Sequence, residues 1–191
     1  MSFRRLLIPA LLLACSLPAW AGAGERGDAA ASAQRYTLRL TAGNASNEID
    51  VRVSADGLQY VITANGAIPP AAGCRNPPGE PTELRCARAS IAGIVVEANG
   101  GNDTIAAAAG VRAYMLLSGG AGFDDLIGGA NADEIRGGPG PDVIFGRAGP
   151  DQLFGDGGND RLRGGVGKDF LRGGPGTDVV SGGPGRDDQR E

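Results

Sequence analysis

Eight aspartates stand nine residues apart through about the last two-fifths of this chain: Asp124, Asp133, Asp142, Asp151, Asp160, Asp169, Asp178 and Asp187. Carboxylates in strict register suit metal coordination, and the intervening residues say how they are held. Each aspartate is sixth in a nonapeptide that begins with glycine in all eight units. The units are GGAGFDDLI (119–127), GGANADEIR (128–136), GGPGPDVIF (137–145), GRAGPDQLF (146–154), GDGGNDRLR (155–163), GGVGKDFLR (164–172), GGPGTDVVS (173–181) and GGPGRDDQR (182–190). The eighth residue is aliphatic in seven of them: Leu126, Ile135, Ile144, Leu153, Leu162, Leu171 and Val180. A fixed short period of this kind specifies a stacked coil.

The glycine half of each unit is expected to be a turn, because glycine permits positive φ and close backbone approach. The x-aliphatic-x half suits a very short strand with its middle side chain inward. Turn, strand, turn and strand close one coil of two units, so each unit stacks on the second one after it, about 4.8 Å away. Asp124, Asp142, Asp160 and Asp178 then share one column, and Asp133, Asp151, Asp169 and Asp187 the other. The fold class is all-β, a parallel β-roll or two-sided β-solenoid of nonapeptide repeats.

Two carboxylates about 5 Å apart repel by ~3 kcal/mol at an effective dielectric near 20. A cation between rungs converts that repulsion into attraction. The donors on offer are carboxylates and turn carbonyls, since the chain has no histidine and the repeats no cysteine. Hard, flexible oxygen ligands favour Ca²⁺ over Mg²⁺, zinc or copper. Seven inward aliphatics are too little core to order eight units unaided, so folding of the repeats is expected to be coupled to Ca²⁺ binding.

These units resemble the hemolysin-type, or RTX, calcium-binding repeats, with the pattern glycine-glycine-x-glycine-x-aspartate-x-aliphatic-x. The resemblance implies a parallel β-roll with Ca²⁺ between successive turns, held by turn carbonyls and, here, by the eight aspartates named above. Departures fall at Arg147 and Asp156 (second position), Asn131 (fourth) and Gln189 (eighth). Asn131 tolerates the left-handed region. Asp156 offers an extra oxygen, Arg147 sets a positive charge beside the site, and Gln189 leaves Asp187 at a frayed end.

Two degenerate units precede the array. ANGGNDTIA (98–106) places Asp103 at the aspartate position, making it a ninth candidate ligand, and Ile105 at the aliphatic one. GVRAYMLLS (110–118) puts Leu117 inward but Met115 where aspartate belongs, so it is a rung without a carboxylate. Ala107, Ala108 and Ala109 shift the phase between them.

Residues 35–97 form a β-rich leader expected to cap the coil, with strands at YTLRLT (36–41), EIDVRV (48–53), LQYVITA (58–64), LRCAR (84–88) and IAGIVV (91–96). Cys74 and Cys86 bracket a Pro/Gly-rich segment and are expected to form a disulfide in an oxidising compartment. Residues 22–34 are a small-residue linker. Residues 1–21 have the form of a secretory signal peptide: Arg4 and Arg5, an apolar stretch over 6–17, and Ala19-Trp20-Ala21 before the cleavage point. The rival reading makes Cys15 a lipoprotein acylation site. Its apolar segment is too short for a membrane span. With no long segment after the last repeat, the N-terminal route to the periplasm or medium is expected, together with weak end-to-end self-association.

Loss of residues 1–21, with two arginines and no acids, takes the net charge from −4 to −6, which disfavours nucleic acid. A chain without histidine has no histidine-containing triad and no HExxH zinc site. Glu80 and Glu83 lie in a loop as solvated charge, and no enzyme is expected. Gly167-Lys168 is followed by Asp169, which rules out a phosphate loop, and Asn44-Ala45-Ser46 is a chance sequon. The competing function is a calcium-rigidified surface-interaction protein, displaying Val143, Phe145, Phe154 and Phe170 among Arg136, Arg163, Arg172 and Arg190.

Overall fold

The computed structural model describes residues 36–190; the signal-peptide, Cys15 and linker readings lie outside these residues. Sixteen strands run β1 (Tyr36–Thr41), β2 (Glu48–Val53), β3 (Gln59–Ala64), β4 (Cys74–Arg75), β5 (Glu83–Ala87), β6 (Ile91–Glu97), β7 (Thr104–Ala107) and β8 (Tyr114–Ser118). They continue as β9 (Asp125–Ile127), β10 (Glu134–Pro139), β11 (Val143–Ala148), β12 (Gln152–Gly157), β13 (Arg161–Val166), β14 (Phe170–Arg172), β15 (Val179–Ser181) and β16 (Asp188–Arg190). The chain alternates between two sheets. One is parallel throughout, in the order β1-β6-β8-β10-β12-β14-β16. The other runs β15-β13-β11-β9-β7-β2 in parallel and then turns antiparallel through β3, β5 and β4.

The stacking step is the one the nine-residue period requires. Ile135 pairs with Leu153 and Leu153 with Leu171; on the facing sheet Leu126 pairs with Ile144 and Ile144 with Leu162. Each partner lies eighteen residues on, and all six side chains are buried. Val180 is only half-buried and Gln189 exposed, because no coil follows them among the described residues.

The glycine half is not purely a turn. In β10 to β13 the ladder runs past the aliphatic position into the next unit, so Gly138 pairs with Asp156 and Arg147 with Gly165. Positive φ at the second position, +114° at Gly138, turns the chain while its carbonyls keep bonding along the stack.

The leader strands continue the solenoid. β1 stacks on β6 and β2 on β7 in the same parallel sense as the repeats. Between them, β3, β5 and β4 extend the second sheet beyond β2. A disulfide joins Cys74 and Cys86, which face each other across β4 and β5.

Apolar burial is distributed unevenly. Among the described residues, twenty-two buried hydrophobics lie between Leu38 and Leu117, and six lie in the eight repeats. At about 1.5–3 kcal/mol for each fully buried large aliphatic, most of the stabilisation from apolar burial lies in the N-terminal half, and the repeats hold only a single-file extension of the same core.

Candidate metal centre

The position-six aspartates line the two inner corners of the coil. Asp124, Asp133, Asp142, Asp151, Asp160 and Asp169 are buried, as is Asp103, while Asp178 and Asp187 on the last coils are partly exposed. One oxygen of each is used by the stack. Asp103 N–H donates to Asp124 Oδ1, Asp124 N–H to Asp142 Oδ1, and Asp142 N–H to Asp160 Oδ1, each at 2.8 Å; Asp160 N–H donates to Asp178 Oδ1 at 2.9 Å. The facing column repeats the pattern from Asp133 to Asp151 (2.9 Å), Asp169 (3.0 Å) and Asp187 (3.0 Å). The three-alanine insertion falls at the end of β7 and in the turn that follows, so Asp103 stays in its column.

The second oxygen is the chemically informative one. Oδ2 of Asp103, Asp124, Asp142, Asp151, Asp160 and Asp169 is buried with no hydrogen-bond partner. An orphaned buried carboxylate oxygen is costly unless a cation meets it. Burial raises the pKa of all six, backbone N–H donors oppose it, and the charges of column neighbours add to it for all but Asp103; Asp142 and Asp151 are brought to about 7.

Glycine makes room for these oxygens. A Cβ at Gly137 would lie 2.2 Å from Asp142 Oδ2 and 2.9 Å from the Gly155 carbonyl oxygen. At position four, a Cβ on Gly140 would lie 1.7 Å from the carbonyl oxygen of Gly122, one coil back. Side chains are thus excluded where carbonyls and carboxylates converge. Among the described residues no three acidic, histidine or cysteine side chains converge on one point, so a cation here draws most of its ligands from backbone carbonyls. Such an all-oxygen donor set fits Ca²⁺.

Asp133 is the exception. Gly129 N–H donates to its Oδ2 at 2.6 Å and Met115 N–H to its Oδ1 at 2.9 Å, so both oxygens are satisfied by backbone. Burial nonetheless raises its pKa to about 6, against those two donors. Neither Gly129 nor Asn131 has positive φ; Asn131 instead donates its amide to the Arg112 carbonyl (2.8 Å). The left-handed non-glycine residues among those described are Asn99, Arg147 and Asp156, all at position two. The Arg147 guanidinium donates to the carbonyl of Ala107, the first residue of the alanine insertion. Asp156 is exposed, and its charge contributes to the raised pKa values of Asp142 and Asp160.

Met115 is fully buried, and its place in the column continues upward through Ile94 and Leu38. The outward aromatics also find partners within the chain. Phe154 and Phe170 lie 5.7 Å apart between rings, with the Arg136 guanidinium 4.2 Å over Phe154 and Arg190 5.1 Å over Phe170. Arg163 stands on the other sheet, in register with Phe145.

One coil escaped the sequence reading. Residues 42–50, AGNASNEID, occupy the rung before 98–106: Glu48 pairs with Thr104 and Ile49 with Ile105. Ile49 is buried at the aliphatic position, and Asn47 N–H donates to Asp103 Oδ1 at 2.6 Å, as Asp103 N–H does to Asp124. Ser46 Oγ accepts the Asn102 N–H (3.2 Å) as Asn102 Oδ1 accepts that of Phe123 (3.0 Å). Gly43 at position two, Asn47 at six and Ile49 at eight were the available signal; the inserted β3–β5 hairpin breaks the period that would have exposed it.

The RTX calcium-binding nonapeptide repeat family matches this chain in four copies, over residues 95–111, 118–153, 136–171 and 154–188. No curated protein and no solved structure matches it. The stacked coil across residues 95–188 is an array of RTX calcium-binding nonapeptide repeats, whose ion is Ca²⁺.

Proposed function

We propose that this is an exported, non-enzymatic calcium-binding protein whose repeats fold as Ca²⁺ enters the two aspartate columns. The observation that carries the proposal is the set of six buried Oδ2 atoms of position-six aspartates left without a partner. The ligands are Asp124, Asp142, Asp151, Asp160 and Asp169, with Asp103 at the start of one column and Asp178 and Asp187 on the outer coils. Asp133 is left out because backbone donors satisfy both its oxygens.

Bound Ca²⁺ supplies the positive charge that lets stacked carboxylates ionise together. The chain supplies carbonyl columns brought close by glycine and an inner wall of aliphatics. Coupled folding is supported by the small apolar core of the repeats, which leaves metal binding to offset their ordering. Export is supported by the form of residues 1–21 and by the Cys74–Cys86 disulfide, a bond of oxidising compartments.

The test is a titration of the metal-free protein with Ca²⁺ and, separately, Mg²⁺, followed by far-UV circular dichroism. A cooperative gain of β signal with Ca²⁺ alone is expected; a spectrum indifferent to Ca²⁺ rejects coupled folding.

A further inference from the structure

Asn47 holds the place of an aspartate ligand, yet its side chain behaves in the opposite sense. Its Nδ2 lies 3.4 Å from the Gly43 carbonyl oxygen and 2.8 Å from Asp103 Oδ1, and it also bonds the Ala45 carbonyl. All three neighbours are acceptors, so the amide presents its NH₂ group to them and not its oxygen. Gly43 and Ala45 are positions two and four of this coil, and Asp103 is position six of the coil stacked on it. Corresponding oxygens in the repeats are two turn carbonyls and the Oδ1 of the next aspartate, the oxygen bonded along the stack, while Asp103 Oδ2 stays without a partner.

We infer that the Asn47 amide is a built-in substitute for the cation, making 42–50 a metal-free coil on which the calcium-loaded coils assemble. An NH₂ group carries two N–H donors with partial positive charge, shared here among two carbonyls and one carboxylate oxygen without an ion. The facing corner reaches the same end by other means, with Leu38, Ile94 and Met115 replacing carboxylates by apolar packing. The first coil therefore carries no carboxylate of its own in either corner, at the N-terminal end where most of the apolar core lies, and the first orphaned oxygen is Asp103 Oδ2 on the coil that follows. A parallel stack needs such an edge, because the next coil can bond only to one already formed.

The inference rests on the calcium reading of the repeats, and the test separates the two. Bound Ca²⁺ per chain is counted by equilibrium dialysis for the full-length wild type, Asn47→Asp and Asn47→Ala. Asn47→Asp restores the missing carboxylate and is expected to bind one more Ca²⁺ than wild type. Asn47→Ala removes the amide without adding a ligand, and its count is expected to equal wild type. Hydrogen exchange in chelator is expected to show residues 36–118 protected in wild type and less protected in Asn47→Asp, with protection restored by Ca²⁺. An unchanged count in Asn47→Asp, or the loss of one ion in Asn47→Ala, overturns the inference while leaving the repeats as calcium sites. A wild type that binds no Ca²⁺ overturns both.

Discussion

Met115 sits directly above Asp133 in one inner corner, its N–H donating to Asp133 Oδ1 at 2.9 Å, and within that single rung the column changes from apolar to acidic. Above it lie Ile94 and Leu38; below it lie Asp151, Asp169 and Asp187. The same backbone step thus serves two stabilising devices, hydrocarbon packing toward the N-terminus and charge neutralisation toward the C-terminus.

The two kinds of aspartate should respond differently to loss of charge. Asp142→Asn removes a carboxylate whose Oδ2 has no partner in the chain, and is expected to weaken Ca²⁺ binding at least about tenfold, ~1.4 kcal/mol. Asp133→Asn is expected to leave the number of bound ions unchanged. Its cost appears in stability, about 1–3 kcal/mol, since one of two buried N–H donors loses its acceptor. Calorimetric Ca²⁺ titration beside thermal unfolding of both variants separates them.

Glycine at position four should be far less replaceable than glycine at position three. Gly140 has φ +132°, and a Cβ there would lie 1.7 Å from the Gly122 carbonyl oxygen. Gly140→Ala is expected to cost at least about 2 kcal/mol in the calcium-loaded protein. Gly157→Ala meets nothing within 4 Å and should stay within ~0.5 kcal/mol of wild type. Denaturant unfolding in saturating Ca²⁺ checks both.

Acid should stabilise the metal-free coil and oppose calcium. Burial raises the carboxyl pKa values of Asp142 and Asp151 from 3.8 to about 7. The folded metal-free state therefore holds protons that the unfolded state has released. That stabilisation is fully present below about pH 3.8 and is lost as pH rises through about 7. Calcium requires the ionised carboxylates, so its affinity should fall as pH drops through the same window. Thermal unfolding in chelator and Ca²⁺ titration, each at pH 5 and pH 8, should show opposite trends.

Much of this architecture is legible in the sequence because a nine-residue period admits few solutions. Glycine at position one and an aliphatic at position eight fix the turn and the inward direction, and two units per coil pair Asp124 with Asp142 eighteen residues on. What escapes has local causes. Asn47 and its coil are hidden by an intervening hairpin that breaks the period. Asp133 holds the same sixth position as its neighbours, and what sets it apart is backbone geometry: Gly129, without the positive φ of Gly120 or Gly138, donates its N–H to Oδ2. Strands such as β10 outrun the three residues expected of them because position-two glycines such as Gly138 combine positive φ with ladder pairing.

The central claim is that the repeats fold only with calcium, while the N-terminal coils, which hold most of the apolar core, fold without it. Hydrogen exchange read by mass spectrometry on the full chain, in chelator, in Ca²⁺ and in Mg²⁺, tests it most directly. Residues 36–118 should be protected in all three conditions, and residues 137–190 protected only in Ca²⁺. Repeats equally protected in chelator, or unprotected in saturating Ca²⁺, would contradict the account.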